Sequence, residues 1–287
     1  MGETGGKMKN KINMYYAKLP NMGDLLNVLI IKKCFGYDVT RHTYLTGELG
    51  GIGSGLGQFT LSNKKWLAIL QKISGVFFPK VYIWGTGFIS YNEKDSPFYR
   101  KGINIVAVRG ELSKMRVEKI LGRNLDIPTG DAGILATELF EEKIEKKYSV
   151  GIIPHFKEKD ETEFKELVER FEDAIYIDVM DDPMLVIQQI AECENIISSS
   201  LHGLVVADAF HIPNLHVKVT ENLLGDGFKF DDYYSAYGLK HEYIDLKRDT
   251  ISDLSVVRER YKITMEMVEE KKKAMLESFP YPSIKRI

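Results

Sequence analysis

Ile196-Ile-Ser-Ser-Ser-Leu-His-Gly-Leu-Val-Val-Ala-Asp-Ala-Phe-His-Ile-Pro213 decides how this chain is read. A short apolar strand runs into a polar turn, and residues 201–210 then carry the apolar density of a buried helix. Ser198, Ser199, Ser200, Leu201, His202 and Gly203 therefore sit where strand gives way to helix. Unpaired backbone N–H groups and the helix dipole favour an anion at such a point. A histidine beside that anion can move protons near neutral pH. The same residues also fit a serine cap ahead of a structural helix, and the local pattern leaves both readings open.

Outward from this stretch, strand and helix alternate. Residues 11–17 alternate as a strand through Ile12, Met14 and Tyr16, Asn21 to Asp24 form a turn, and residues 25–35 have helical spacing. Strands are expected at 37–44, 81–84, 103–108, 148–154, 174–179, 195–198 and 214–219, and helices at 64–74, 111–121, 162–171 and 183–193. Residues 46–57 hold six glycines, a density that suggests mobility or close approach to a ligand. They lack the strand–turn–helix setting of a dinucleotide fingerprint. Repeated strand–helix–strand order predicts parallel sheets covered on both faces.

At 287 residues the chain is long enough for two such units. The charged run at 141–147 marks a boundary, although a solvated helix end explains it equally well. The expected fold is α/β, with two Rossmann-like domains facing a cleft, one over residues 8–145 and one over 146–287. A charged segment at 252–277 forms a helix or helix pair able to return to the first domain. The glycine-rich start, Met1 to Lys7, is set aside, with Met8 as the natural first residue. No internal sequence repeat or low-complexity tract is present.

A formal net charge of −2 with scattered basic residues argues against nucleic acid as a partner. Two isolated cysteines, Cys34 and Cys193, suit a reducing, cytoplasmic setting without a disulfide framework or zinc site. No apolar run reaches the length of a bilayer span.

Ligands of open parallel sheets bind beyond the carboxyl ends of the strands, and the polar punctuation falls there. Asn21, Gly23 and Asp24 follow the first strand; Gly85, Thr86 and Gly87 follow another. Arg109, Asp131 and His155 lie at similar ends. Arg109 can grip a carboxylate or phosphate, or form a salt bridge with Glu111 or Asp131. Asp24 can hold a sugar hydroxyl or cap a helix. Lys229 can supply a second positive charge, though a solvated lysine beside aromatic packing fits better. His155 can be catalytic or a strand cap, while His42, His211, His216 and His241 read as structural or exposed.

Six motifs then occur in order: Asn21-Met-Gly-Asp-Leu-Leu-Asn27, Gly85-Thr-Gly-Phe88, Val108-Arg-Gly-Glu-Leu-Ser113, Gly130-Asp-Ala132, Gly151-Ile-Ile-Pro-His155 and Ser198-Ser-Ser-Leu-His-Gly203. Together they resemble the polysaccharide pyruvyl transferase family over roughly residues 11–238. The resemblance implies a fold similar to the glycosyltransferase B type, with the acceptor on the first domain and the donor on the second. It implies phosphoenolpyruvate as donor, a glycan or lipid-linked sugar as acceptor, and a pyruvate ketal as product in polysaccharide biosynthesis. The family's cleft histidine maps onto His202 and its donor-binding arginine onto Arg109. Some members carry arginine at the position of Ser200, so Arg109 and backbone N–H groups would carry more of the donor here.

On that reading His202 is the proton donor or phosphate-side acid and Asp24 the hydroxyl base, in roles that can be exchanged. Arg109 holds the donor; Asn21, Gly23, Gly85, Thr86, Gly87, Asp131, His155, Ser198, Ser199, Ser200, Leu201, Gly203 and Lys229 line the substrates. Neither a metal nor a cofactor is needed. The acceptor would bring the chain to the inner face of a membrane, and a homo-oligomer is compatible. The competing readings are a nucleotide-sugar glycosyltransferase of the same fold and a non-catalytic glycan-binding subunit.

Overall fold

A computed structural model of the chain describes residues 10–18, 21–220 and 225–284. Met1 to Lys7 and Met8 lie outside the described residues. The first sheet contains β1 (Lys11–Tyr15), β2 (Asp38–His42), β3 (Leu49–Gly50), β4 (Val81–Ile83) and β5 (Ile103–Ile105), in the order β2-β1-β3-β4-β5. The second contains β6 (Val150–Ile153), β7 (Ala174–Tyr176), β8 (Ile196–Ser198), β9 (Asn214–Lys218) and β10 (Ile244–Asp245), in the order β10-β9-β8-β6-β7. Every pairing within both sheets is parallel. Numbered within its own half, each sheet has the order 2-1-3-4-5. The two halves thus repeat one topology, consistent with two Rossmann-like units, without a repeat in sequence.

The helices follow the expected spacing. They are α1 (Met22–Ile30), α2 (Lys65–Ser74), α3 (Glu111–Leu121), α4 (Thr162–Arg170), α5 (Pro183–Ala191), α6 (Leu201–Ala209), α7 (Phe228–Ser235), α8 (Ser255–Arg260) and α9 (Met265–Glu277). A π-turn at Ile31–Phe35 continues α1, and a 3-10 helix spans Ala132–Leu139. Asp182 caps α5 through Met184 and Leu185 N–H groups, with Pro183 in the first turn.

Two details differ from the sequence reading. The glycine-dense loop contributes β3, a central strand, because Leu49 and Gly50 pair with both β1 and β4. Its remainder lies over the strand ends. Helix α7 arises from Phe228 to Ser235, where aromatic density hid the helical period. The tail segment is a helix pair, one of the two forms expected for it, with α8 and α9 separated by a short extended stretch.

Helix α6 is buried on all sides apart from His202. It lies against the second sheet and also packs on the 3-10 helix Ala132–Leu139 and α1 from the first half. That double burial explains why the run from Leu204 to Ala209 lacks a polar face. Its one buried carboxylate, Asp208, accepts hydrogen bonds from Asn214 Nδ2, Tyr233 and Tyr261.

The chain end crosses back to the first sheet. Trp84 Nε1 donates to the Met275 carbonyl, and the Phe279 ring stacks on Phe35 at 3.6 Å between centroids. Removing so large a buried ring leaves a cavity that the clasp cannot close. Phe279→Ala is expected to lower stability by about 3 kcal/mol in urea denaturation. An unchanged midpoint would show that the clasp adds nothing.

Candidate active site

In a 2-1-3-4-5 sheet the chain leaves the middle strands in opposite directions, which opens a crevice at their carboxyl ends. In the first sheet those strands are β1 and β3; in the second they are β6 and β8. Asn21 to Asp24 follow β1 and Gly51 to Gly55 follow β3. His155 follows β6 and Ser199 to His202 follow β8. All four segments meet at one cleft between the halves. Asp24, Ser54, His155, Ser200, His202 and Lys229 line it.

The starts of α1 and α6 face this cleft from opposite halves. Asn21 caps α1: its Oδ1 accepts from Asp24 N–H at 3.0 Å, and its Nδ2 donates to Asp24 Oδ2 at 2.7 Å. Burial raises the Asp24 carboxyl to about 6 despite that hydrogen bond. No side chain among the described residues caps α6, so its first turn keeps backbone N–H groups for the cleft. The His202 ring lies directly on Gly23; a Cβ there would stand 2.1 Å from Nδ1. Only glycine allows the two helix starts to approach so closely.

His202 Nε2 faces Asp131 Oδ2 at 3.9 Å, and neither atom has a hydrogen-bond partner among the described residues. Burial, reinforced by the charges of Lys229 and Arg109, pushes His202 down to about 3. Burial and Lys229 do the same to His155. Burial and Arg109 lower Lys229 to about 8, and burial raises Asp131 to about 6. The resting site therefore presents neutral imidazoles beside an ammonium that remains largely charged at neutral pH. An anion entering here would relieve the positive field and let His202 take up a proton, drawing it toward Asp131.

Arg109 has a different place from the donor-gripping one expected. Its side chain is fully buried and held entirely by protein. Nε donates to Asp232 Oδ2 at 2.9 Å, Nη1 to Ser54 Oγ at 2.7 Å and Nη2 to the Phe88 carbonyl at 2.6 Å. Asp232, rather than Glu111 or Asp131, is its carboxylate partner. Asp232 also accepts from Ser113 N–H and Oγ, both at 2.7 Å. Since Asp232 lies one turn after Lys229 on α7, the ion pair fixes both the Ser54 loop and the lysine.

Other expected site residues are framework. Asp131 is 1 % exposed and caps the 3-10 helix through Gly133 N–H, so it reaches a ligand only through His202. Ser198 Oγ donates to the Ile153 carbonyl and accepts from Ser200 N–H. Ser199 Oγ accepts from His155 N–H and so positions that residue. Gly203 packs against Ser198 and Ile153. Gly85 turns the chain at φ 77°, and Gly87 makes room for the Arg109–Asp232 pair. Thr86 ties the glycine loop by donating to the Gly53 carbonyl and accepting from Gly55 N–H. Asn21, Gly23, Asp24, His155, Ser200, Leu201, His202 and Lys229 face the cleft itself.

A second hollow opens beside the cleft and shares Asp24, Gly53, Ser54 and Ile89 with it. Tyr15, Tyr16 and Thr86 form part of its remaining wall. Sequence reasoning missed Tyr15, Tyr16, Ser54 and Asp232. The doubled acid in Phe230-Asp-Asp-Tyr233 was a signal for the last; the others had none.

Residues 51–220 match the polysaccharide pyruvyl transferase family. The chain belongs to that family. The matched span takes in Arg109, Asp131, His155 and the Ser198–Gly203 turn, whereas Asp24 and Lys229 lie outside it and enter the site through the fold. An uncharacterized protein of Acanthamoeba polyphaga mimivirus is 28% identical over 233 residues, covering 79% of this chain and 75% of that protein. The succinoglycan biosynthesis protein ExoV of Rhizobium meliloti is 27% identical over 225 residues, covering 77% of this chain and 63% of ExoV. A solved structure of an uncharacterized Klebsiella pneumoniae protein aligns with a TM-score of 0.42 at 13% identity, covering 79% of this chain and 87% of that one.

Gly23→Ala is expected to drive the His202 ring away from α1 while the protein stays folded. The imidazole proton signals of His202 in NMR spectra should move. Unmoved signals would mean that the ring does not rest on Gly23.

Proposed function

We propose that the chain transfers the enolpyruvyl carbons of phosphoenolpyruvate to two hydroxyls of a glycan or lipid-linked sugar, forming a pyruvate ketal and releasing phosphate. One observation carries this reading: His202, Lys229 and an uncapped helix start converge on a cleft that shares Asp24 with a second hollow. A small donor with a carboxylate and a phosphate suits the cationic side. A sugar ring suits the hollow walled by Tyr15 and Tyr16, since tyrosines offer an apolar face and a hydroxyl. The two halves would then divide donor and acceptor in the manner of glycosyltransferase B folds.

In this scheme the N–H groups of Leu201, His202 and Gly203 at the start of α6 and Lys229 hold the donor anion, and Lys229 takes the place of the arginine that some members carry at the Ser200 position. Donor binding offsets the positive field at His202, which becomes protonated and faces Asp131. His202 gives its proton to the methylene carbon of the donor as a sugar oxygen attacks C2, and the proton of that hydroxyl passes through Asp24 back to His202. The bond from C2 to the phosphate oxygen then breaks, with His202 as the phosphate-side acid. The second hydroxyl closes the ketal, and its proton leaves with phosphate or restores His202. Atoms and charge balance without a metal or a redox partner. Arg109 acts as a positioning residue, because its N–H groups are already engaged.

His202→Ala is expected to lower phosphate release from phosphoenolpyruvate by about a hundredfold or more, in the presence of an accepted glycan, while leaving the fold intact. Near-normal turnover would remove His202 from the chemistry. Thermal stabilisation by UDP- or CMP-sugars but not by phosphoenolpyruvate would overturn the donor assignment.

The lowered Lys229 predicts a pH dependence with a definite sign. Lys229 must be protonated to hold the anion, and its pKa rises when the anion binds. Affinity for phosphoenolpyruvate should therefore fall as pH rises past about 8, by up to about tenfold per pH unit. Phosphate itself has completed its second ionisation by then. Calorimetry on Lys229→Met should show weaker binding without this decline. The same decline in the variant would assign it to another group.

A further inference from the structure

Helix α2 turns its apolar side to solvent. Trp66, Ile69, Leu70 and Ile73 are 61%, 58%, 52% and 64% exposed, and just beyond the helix Val76 and Phe77 are 54% and 84% exposed. Their spacing of three and four residues places them along one stripe. The polar Gln71 is instead buried, where its Oε1 accepts from Ser62 N–H at 2.8 Å. The helix end is fixed to the body, since a Cβ on Gly75 would stand 1.9 Å from the Tyr99 carbonyl oxygen. A rigid, contiguous apolar stripe of this kind marks an interaction surface.

Charge selects the occupant. Lys64, Lys65, Lys72 and Lys80 lie around the stripe and are all exposed. No aspartate or glutamate occurs between Leu49 and Asn92. A two-fold pairing of α2 with its copy would set these lysines against one another, since such an interface uses the same patch twice. An anionic surface with an apolar interior complements both features. No helix among the described residues is long and apolar enough to cross a membrane. We propose that α2 and the turn through Phe77 lie in the interface of an anionic lipid bilayer. Trp66, Ile69, Ile73 and Phe77 enter the acyl boundary, and the lysines reach headgroup phosphates along their aliphatic stems. Donor and acceptor chemistry play no part in this argument, so the surface stands or falls apart from the reaction proposed above.

Vesicle sedimentation with the full chain tests it, using phosphatidylcholine alone and phosphatidylcholine with phosphatidylglycerol. The chain should sediment with the anionic vesicles and be released by salt. The chain has two tryptophans, and Trp84 is fully buried. A shift of emission to shorter wavelength on adding vesicles therefore reports Trp66. The double variant Trp66→Glu, Phe77→Glu should reduce vesicle binding by about tenfold or more. Lys64→Glu with Lys65→Glu should do so on anionic vesicles, and both should keep a wild-type thermal melt. Phe77→Ser provides a milder variant should the double substitution impair folding. Absence of vesicle binding, unchanged Trp66 emission, or equal binding to neutral vesicles would overturn the proposal. A concentration-dependent dimer abolished by the Trp66 and Phe77 changes, without lipid binding, would assign the face to a second copy instead.

Discussion

The buried pair Arg109–Asp232 is the contact on which the geometry of the cleft depends. Two charges withdrawn from water are tolerated only when almost every lone pair and proton finds a partner. That condition is met by Ser54, Phe88 and Ser113. The partners come from the glycine loop, the turn after β4, the start of α3 and α7. One guanidinium therefore sets the relative positions of segments far apart in the chain. It also places a fixed positive charge behind the cleft, which depresses His202 and Lys229 without occupying the cleft.

The duplicated strand order explains why polar and titratable groups from both halves gather at this crevice. Each sheet opens at its own crossover, and the halves are joined so that the two openings face each other. The starts of α1 and α6 then meet across Gly23 and His202. Polar groups that belong to different halves, Asp24 in one and His202 with Lys229 in the other, come to share one cavity. An acid raised by burial and an imidazole lowered by burial and positive charge stand on opposite sides of it. At neutral pH both are then largely in their proton-accepting form until an anion enters.

Burial also explains which expected residues remain structural. Ser198, Ser199 and Asp131 are polar residues at a strand end, as ligand-binding residues would be. Their hydrogen bonds run inward, to Ile153, His155 and Gly133. They orient the turn whose next residues, Ser200 to His202, face the cavity. Polarity at a strand terminus thus has two uses, and the direction of the side chain separates them.

Periodicity and turn chemistry in the sequence alone determined the α/β class, most strand and helix positions, and the motif order that placed the chain in its family resemblance. These are local properties, written in spacings of two to four residues. The strand order, the β3 strand hidden among glycines and the helix in the aromatic stretch at Phe228 to Ser235 required long-range pairing. So did the partner of Arg109, which lies 123 residues away. The apolar stripe of α2 was visible as helical spacing, but only the packed structure showed it facing outward. Which face of an element is buried depends on what the remainder of the chain places against it, and no local pattern carries that information.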